Sequence, residues 1–344
     1  MKYSVIVPVY NRPDEVDELL QSLTTQTLKD FEVVIVEDGS QVKCSDVCDR
    51  YADRLDIHYY YKDNSGPGQS RNFGVERARG EYVVIVDSDA VVPPGYMQAI
   101  DDELRREPCD AFGGPDAAHQ SFTPIQKAIS YSMTSFFTTG GIRGGKKQME
   151  RFHPRSFNMG VRREVYMQLG GFSPMRFSKM SLYGEDIDFS IRIFRGGYSC
   201  RLFPDAWLWH KRRTDFHKFW RQVYNSGLAR INLYKKYPEA LKPVHALPAL
   251  FTVGVAVLLL IFVAGLLTVS FAPADTGKSF GVTLCQLSLL PLVLYSLLIF
   301  IDSSVRNRSL YVGLLSVPAA FNQLIGYGVG FIEAWWTRCV RGKD

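Results

Sequence analysis

Several groups of polar residues in this 344-residue chain suit phosphate, metal and sugar chemistry, and most of them stand where a short apolar run stops. Tyr3–Val9 passes into Tyr10-Asn11-Arg12, and Phe31–Val36 into Glu37-Asp38-Gly39-Ser40. Tyr82–Val86 passes into Asp87-Ser88-Asp89. Residues two apart on an extended segment point the same way, so Asp87 and Asp89 can face one ion. Hard carboxylate oxygens suit Mg²⁺ or Mn²⁺, which complete their shells with phosphate and water. A lone D-G-S is most often a turn or cap, and a lone D-x-D is common by chance. Their shared placement at the ends of apolar runs is what points to a site.

Three further groups add to this edge. Gly66-Pro67-Gly68-Gln69-Ser70-Arg71 forms a glycine-rich entry to a helix, where the Arg71 guanidinium suits phosphate or base. No G-K-[ST] follows these glycines and no G-x-G-x-x-G follows the first apolar run, so neither a P-loop nor a dinucleotide fingerprint is present. Gly184-Glu185-Asp186-Ile187-Asp188-Phe189 opens a helical pattern. Alone it reads equally well as acidic residues favouring a helix N-terminus. His210, after Trp209, is a candidate third metal ligand or phosphate contact, although a single histidine is more often structural.

The elements that would hold these residues alternate. Tyr3–Val9, Phe31–Val36, Ile57–Tyr61 and Tyr82–Val86 read as strands. Asp14–Gln26, with Val16, Leu19, Leu20 and Leu23 at helical spacing, reads as a helix between the first two. Strands alternating with helices predict an α/β fold, a mostly parallel sheet covered on both faces. In such sheets ligands bind at the carboxyl ends of the strands, where the acids fall. A basic, glycine-rich stretch, Thr138–Lys147, follows an amphipathic pattern at Ile125, Ile129, Met133, Phe136 and Phe137 and reads as an acceptor-side lid.

The last hundred residues are different. Ala246–Phe271 and Phe280–Ile301 are uncharged, and each exceeds the roughly 20 residues that cross a bilayer. Leu310–Ile332 is a third apolar segment, but it contains Pro318, Asn322, Gln323 and several glycines, so a span and a re-entrant or interfacial element both stay open. Residues 1–242 are thus expected to form a catalytic domain and 243–344 a membrane domain. Ten basic residues against three acids between Arg201 and Lys242 adjoin the first apolar run. Such a segment marks the cytoplasmic side of a membrane rather than a nucleic-acid patch. If two segments cross, Arg306 and Arg308 return to that side. A third crossing would leave Arg338, Arg341 and Lys343 outside, against the charge rule. Tyr3–Val9 is too brief for a signal-peptide core, so export is not expected. The six scattered cysteines, with no C-x-x-C, fit reduced thiols.

Taken in order, these residues resemble the family 2 glycosyltransferases, inverting enzymes of the GT-A fold. The resemblance rests on S-V-I-V-P-V-Y-N-R, V-E-D-G-S, G-P-G-Q-S-R-N-F-G, V-D-S-D, N-M-G-V-R-R-E-V, L-G-G-F and G-E-D-I-D-F, and covers roughly residues 3–240. With the apolar segments it is similar to the membrane-attached bacterial members that build surface polysaccharide or glycolipid at the inner membrane, their catalytic domain facing the cytosol. It implies a nucleotide-sugar donor held by Pro8, Tyr10, Arg12, Asp38, Arg71 and Asp87. It implies a Mg²⁺ or Mn²⁺ ion at Asp87, Asp89 and His210, Asp186 as catalytic base with Glu185 beside it, and a lipid-linked or saccharide acceptor. The Q-x-x-R-W motif of processive synthases is absent in that order; Phe219-Trp220-Arg221-Gln222 stands instead, favouring single additions. A polyprenyl-phosphate sugar synthase and an inactive scaffold of the same fold stay open as alternatives. A transporter is disfavoured, because three uncharged segments are too few to form a pathway.

Overall fold

The computed structural model describes residues 1–117, 122–140, 152–173, 184–272 and 275–342. The basic, glycine-rich stretch expected to act as a lid lies, from residue 141 onward, outside the described residues. The chain forms two compact units: Met1–Gln120 with Gly144–Lys211, and Ser121–Arg143 with Arg212–Asp344. By packing, the residues after Lys211 and a short earlier segment group with the C-terminal helices.

The first unit is built on a seven-stranded sheet. Its strands are β1 (Tyr3–Val9), β2 (Phe31–Asp38), β3 (Asp56–Lys62), β4 (Tyr82–Val86), β6 (Ala111–Gly113), β8 (Asn158–Arg162) and β9 (Cys200–Leu202). The spatial order is β3-β2-β1-β4-β8-β6-β9. β1 pairs in parallel with both β2 and β4, and β2 with β3, while β8 runs antiparallel between β4 and β6. A small second sheet, β5 (Ala90–Val91), β10 (Leu208–His210) and β7 (Asp116–Ala117), adjoins the end of β4. The helices are α1 (Pro13–Thr24), α2 (Ser45–Asp49), α3 (Pro67–Arg77), α4 (Tyr96–Arg106), α7 (Arg163–Gln168) and α8 (Glu185–Arg195).

Why the strands read as continuous apolar runs is plain from their two faces. Val33 and Ile35 pack with Leu19 and Leu20 of α1 and with Met97 and Ile100 of α4. Val34 and Val36 face the other way, with Val75 of α3 and Phe189 and Ile193 of α8. A strand covered on both sides needs apolar residues at every position. Each such side chain contributes roughly 1.5–3 kcal/mol when fully buried. β2 runs two residues beyond its apolar stretch, because Glu37 and Asp38 still pair with Tyr61 and Lys62.

The second unit contains α5 (Pro124–Thr134), α6 (Phe136–Thr139), α9 (Phe216–Lys236), α10 (Leu247–Phe271), α11 (Asp275–Asn307) and α12 (Leu310–Ala334). A capping box between Thr123 and Gln126 opens α5, and the Asp215 side chain caps α9. Three of these helices are long and apolar enough to cross a membrane, with mean hydropathy 2.9, 2.3 and 1.3 in chain order. α12 packs against α5, α9, α10 and α11, and runs through Pro318 without a break. Small residues allow this close approach. A Cβ at Gly227 of α9 would lie 2.2 Å from the Tyr327 carbonyl oxygen of α12. Gly227→Val should therefore force α9 and α12 apart and lower stability by about 1–3 kcal/mol. A depressed thermal unfolding midpoint of the detergent-solubilised protein checks this; an unchanged midpoint would contradict the packing.

Candidate active site

Parallel pairing brings the ends of β1, β2 and β4 to one sheet edge, so the polar residues that follow these strands become neighbours. Asn11, at φ +54°, ties the first two ends together. Its N–H donates to Ser40 Oγ at 2.7 Å, and its side-chain oxygen accepts from the Gln41 and Val42 amides at 2.8 and 3.1 Å. Below this loop the buried Glu37 accepts from the Ser40 hydroxyl and, at 2.8 Å, from the Cys44 amide. Pro8 is half-buried at the end of β1, and Tyr10 stands out from it, 52% exposed.

Asp38 is buried and largely occupied. It accepts from Lys62 Nζ and, at 2.9 Å each, from the Ser65 and Gly66 amides. Burial opposes its ionisation, but Lys62 and the Ser65 amide outweigh it and hold the carboxyl below its usual range. Asp38 thus shapes the loop that launches α3. Arg12, grouped with Asp38 among the expected donor-binding residues, donates not to Asp38 but to Asp89 at 3.1 Å and to Glu15 at 2.7 Å. β1 lies between β2 and β4, so its end can reach either neighbour.

At the end of β4, Asp87 accepts from Arg71 at 2.8 Å. Asp89 faces His210 Nε2 at 3.1 Å as well as Arg12. His210 arrives through the small sheet: antiparallel pairing sets His210 opposite Ala90, and the Lys211 amide donates to the Asp89 carbonyl at 3.2 Å. Its ring stacks on Phe157 at 4.8 Å. Asp87, Asp89 and His210 each offer a ligand atom within 4.8 Å of the others. Two carboxylates and an imidazole fit Mn²⁺ well, and Mg²⁺, which favours oxygen, less well. A second such grouping, Glu32, Asp56 and His58, lies near the opposite ends of β2 and β3. There Arg79 already pairs with both acids at 2.6 Å.

Arg71 links the D-x-D acids to the second acidic motif. It is buried, and desolvation works against its charge, but Asp87 first and Glu185 next raise its pKa. Its Nε has no hydrogen-bond partner among the described residues, a donor that a bound anion would satisfy. Glu185, at the first turn of α8, packs its carboxylate onto Gly68, where a Cβ would lie 2.4 Å from Oε2. A side chain at position 68 would push the Glu185 carboxylate aside. Asp186 is half-buried; Oδ1 accepts from the Ile187 amide at 2.9 Å, and Oδ2 lies 3.5 Å from Arg155. Asp188 points inward instead. It pairs with Arg192 at 2.9 Å, and Arg192 donates to the Leu169 and Gly171 carbonyls at 2.6 Å each. Lys62, Arg155 and Asp188 were not singled out from sequence; only charge opposite an acid motif could have pointed to the first two.

The family model for Glycosyl transferase family 2 matches residues 4–170, the segment that carries the sheet edge just described. Over those residues the chain is similar to the family 2 glycosyltransferases. It is 28% identical over 209 residues to the uncharacterized glycosyltransferase EpsJ of Bacillus subtilis (strain 168), covering 59% of each chain. It is 29% identical over 114 residues to glycosyltransferase GlyG of Streptococcus pneumoniae serotype 4, covering 32% of this chain and 38% of that one. The chain thus spans less than two thirds of these curated relatives. Among solved structures it is similar to a mannosyltransferase from Pyrobaculum calidifontis in complex with GDP-Man and Mn²⁺. That likeness has a TM-score of 0.56 at 16% identity, over 98% of this chain and 88% of the other, and establishes the GT-A fold.

The Glu185 environment has a consequence for stability. Burial raises its pKa from 4.5 to about 7; Arg71 works against this, and Asp186 and Asp188 add to it. Between those values the folded chain holds a proton that the unfolded chain has released, so stability falls as pH rises through the window. Glu185→Gln removes this slope. Relative to wild type, the variant should gain roughly 2–3 kcal/mol between pH 5 and pH 8. Thermal midpoints at the two pH values measure it, and a constant difference between the proteins would contradict the assignment.

Proposed function

We propose that the chain transfers a sugar from a nucleotide-sugar donor to an acceptor hydroxyl by a single, inverting displacement. The observation that carries this reading is the continuous line Asp89–Asp87–Arg71–Glu185–Asp186, which joins a metal-type acid cluster to a second carboxylate pair at one sheet edge. Tyr10 is free to stack on the donor's base, and Pro8 and Asp38 shape the floor beneath it. Asp87, Asp89 and His210 would hold a divalent ion, Mn²⁺ or Mg²⁺. When bound, such an ion neutralises charge on the departing diphosphate. Arg71, with its unfilled Nε donor, meets the same charge from the protein side, a preformed interaction that strengthens as the bond breaks.

Asp186 is the base. Its Oδ1 is held by the backbone of α8, and the carboxylate is open enough to accept the acceptor's hydroxyl proton as that oxygen attacks the anomeric carbon. Arg155 orients its other oxygen. The Pyrobaculum calidifontis enzyme, with its GDP-Man and Mn²⁺, supports a metal-bound nucleotide sugar as the donor class.

The acceptor is proposed to be lipid-linked, and the activity to lie in surface polysaccharide or glycolipid assembly. Residues 1–242 would carry the transfer chemistry and 243–344 the anchor, the catalytic portion facing the cytosol. Two long helices with mean hydropathy 2.9 and 2.3 support the anchor. The basic residues between Arg201 and Lys242 support the cytosolic side. An anchored enzyme and an anchored acceptor share a plane and so meet without a three-dimensional search.

Asp186→Asn is nearly isosteric and cannot take the proton. With a saturating donor chosen from a panel of UDP-, GDP- and dTDP-sugars, turnover should fall by about 10²-fold or more. Donor affinity should stay within reach of wild type. A variant that loses affinity while keeping its saturated rate would make Asp186 a binding residue and remove it as the base.

A further inference from the structure

We infer that the chain crosses the bilayer twice, and that α12, although apolar and 25 residues long, lies at the membrane surface together with α5, α6 and α9. This rests on the reading that α10 and α11 cross a membrane.

The argument begins with which parts of the helices touch. α10 and α11 form an antiparallel hairpin: Gly265 meets Gly281 and Cys285, and Phe251 meets Tyr295 at 5.4 Å between rings. α12 engages this hairpin only near one end. Its side chains reach α11 between Tyr295 and Ser304: Gly313 against Ser304, Ser316 bonded to Ser303 at 2.6 Å, Ala320 packed with Ile299. They reach α10 only in its first turns, through Phe321 on Phe251, Leu324 and Gly328 on Thr252, and Phe331 beside Ala249. Beyond Thr252, α10 is exposed or half-exposed except at Gly265, where it meets α11. The remainder of α10, Val253–Phe271, is about 29 Å long at 1.5 Å per residue. That is the thickness of a hydrocarbon core, roughly 30 Å. The hairpin alone fills that thickness, and α12 sits at its rim.

The neighbour of α12 leads to the same place. From Asn322 onward α12 runs parallel to α9. Asn322 donates to the Phe216 carbonyl at 3.0 Å, Gly330 abuts the Tyr224 carbonyl, Tyr224 donates to Glu333 at 2.6 Å, and Tyr234 stacks on Trp335 at 5.8 Å. α9 carries exposed Lys218, Arg221, Lys235 and Lys236. If α12 crossed, α9 would cross beside it and carry those cations into the hydrocarbon, where unpaired charge is strongly disfavoured. No gain from the modest hydropathy of α12, 1.3, offsets that.

The partner this surface fits is therefore a lipid bilayer with anionic headgroups. Cations on α9, together with Arg338 and Arg341 after α12, suit the headgroups, and Trp335 and Trp336 suit the boundary between water and acyl chains. Phe136 and Phe137 at the start of α6 are 66% and 38% exposed, and the Phe137 carbonyl accepts from Tyr295 at the rim of the hairpin. They are placed to dip into the acyl boundary. Two crossings also keep Arg306, Arg308, Arg338 and Arg341 on one side, which removes the conflict that a third crossing creates.

The test uses the full-length chain in right-side-out and inverted membrane vesicles, treated with a membrane-impermeant maleimide and read peptide by peptide. Native Cys339 follows α12 and is exposed. Lys218→Cys marks α9, and Lys278→Cys marks the far turn of the hairpin. The inference expects positions 218 and 339 to react in the same preparation and position 278 in the other. Reaction of Cys339 in the same preparation as position 278 would overturn it while leaving the hairpin intact. Cys339 that reacts only after detergent is added would also overturn it, placing that end in the hydrocarbon. Reaction of position 278 alongside position 218 would instead overturn the underlying reading that α10 and α11 cross.

Discussion

The site depends on one carboxylate. Asp89 receives Arg12 from the end of β1 and faces His210 from β10, at 3.1 Å each, so three distant stretches of chain converge on one side chain. Asp87, two residues earlier, holds Arg71. Fully exposed pairs of this kind are worth little, but here Asp89 and Arg71 are largely shielded. The cations that balance these acids inside the protein are also the groups a diphosphate would meet. A site organised in this way would need little rearrangement on binding a diphosphate.

Charge and burial are balanced differently at the second motif. Glu185, Asp186 and Asp188 are near neighbours in sequence on one helix turn, and the fold separates their duties by direction. Asp188 turns inward to Arg192 and braces the Leu169–Gly171 turn. Glu185 lies against Gly68, where burial favours its neutral form. Asp186 alone keeps a partly open carboxylate. Three carboxylates packed together and all ionised would repel one another, so a structural pair, a shielded acid and one half-buried carboxylate form a consistent set.

Much of the fold was legible because burial on both faces demands unbroken apolar strands, and Val33 through Val36 show that demand directly. The D-x-D stood out because carboxylates seldom gather at strand ends without a reason, and the Glu185-Asp186 pair because it opens a helix directly after a glycine. Arg12 was harder to place. A strand paired on both sides delivers its end residues to two neighbours, and side-chain direction chose Asp89 over Asp38. The role of Asp38 in bracing the Ser65–Gly66 loop depends on backbone amides, which carry no sequence signal. The position of α12 was hidden for another reason. Hydropathy averages over a window, whereas depth is set by which helix lies alongside, here the basic α9.

The central claim, that Asp87, Asp89 and His210 form a divalent-ion site built around Asp89, is tested most directly by binding rather than turnover. Mn²⁺ can be titrated into the full-length protein in detergent, with a nucleoside diphosphate present, and bound and free ion separated by electron paramagnetic resonance. Wild type should bind one ion. Asp89→Ala, with an unchanged circular dichroism spectrum, should weaken that binding by at least about tenfold. Equal affinity in the two proteins would contradict the account and place any metal elsewhere.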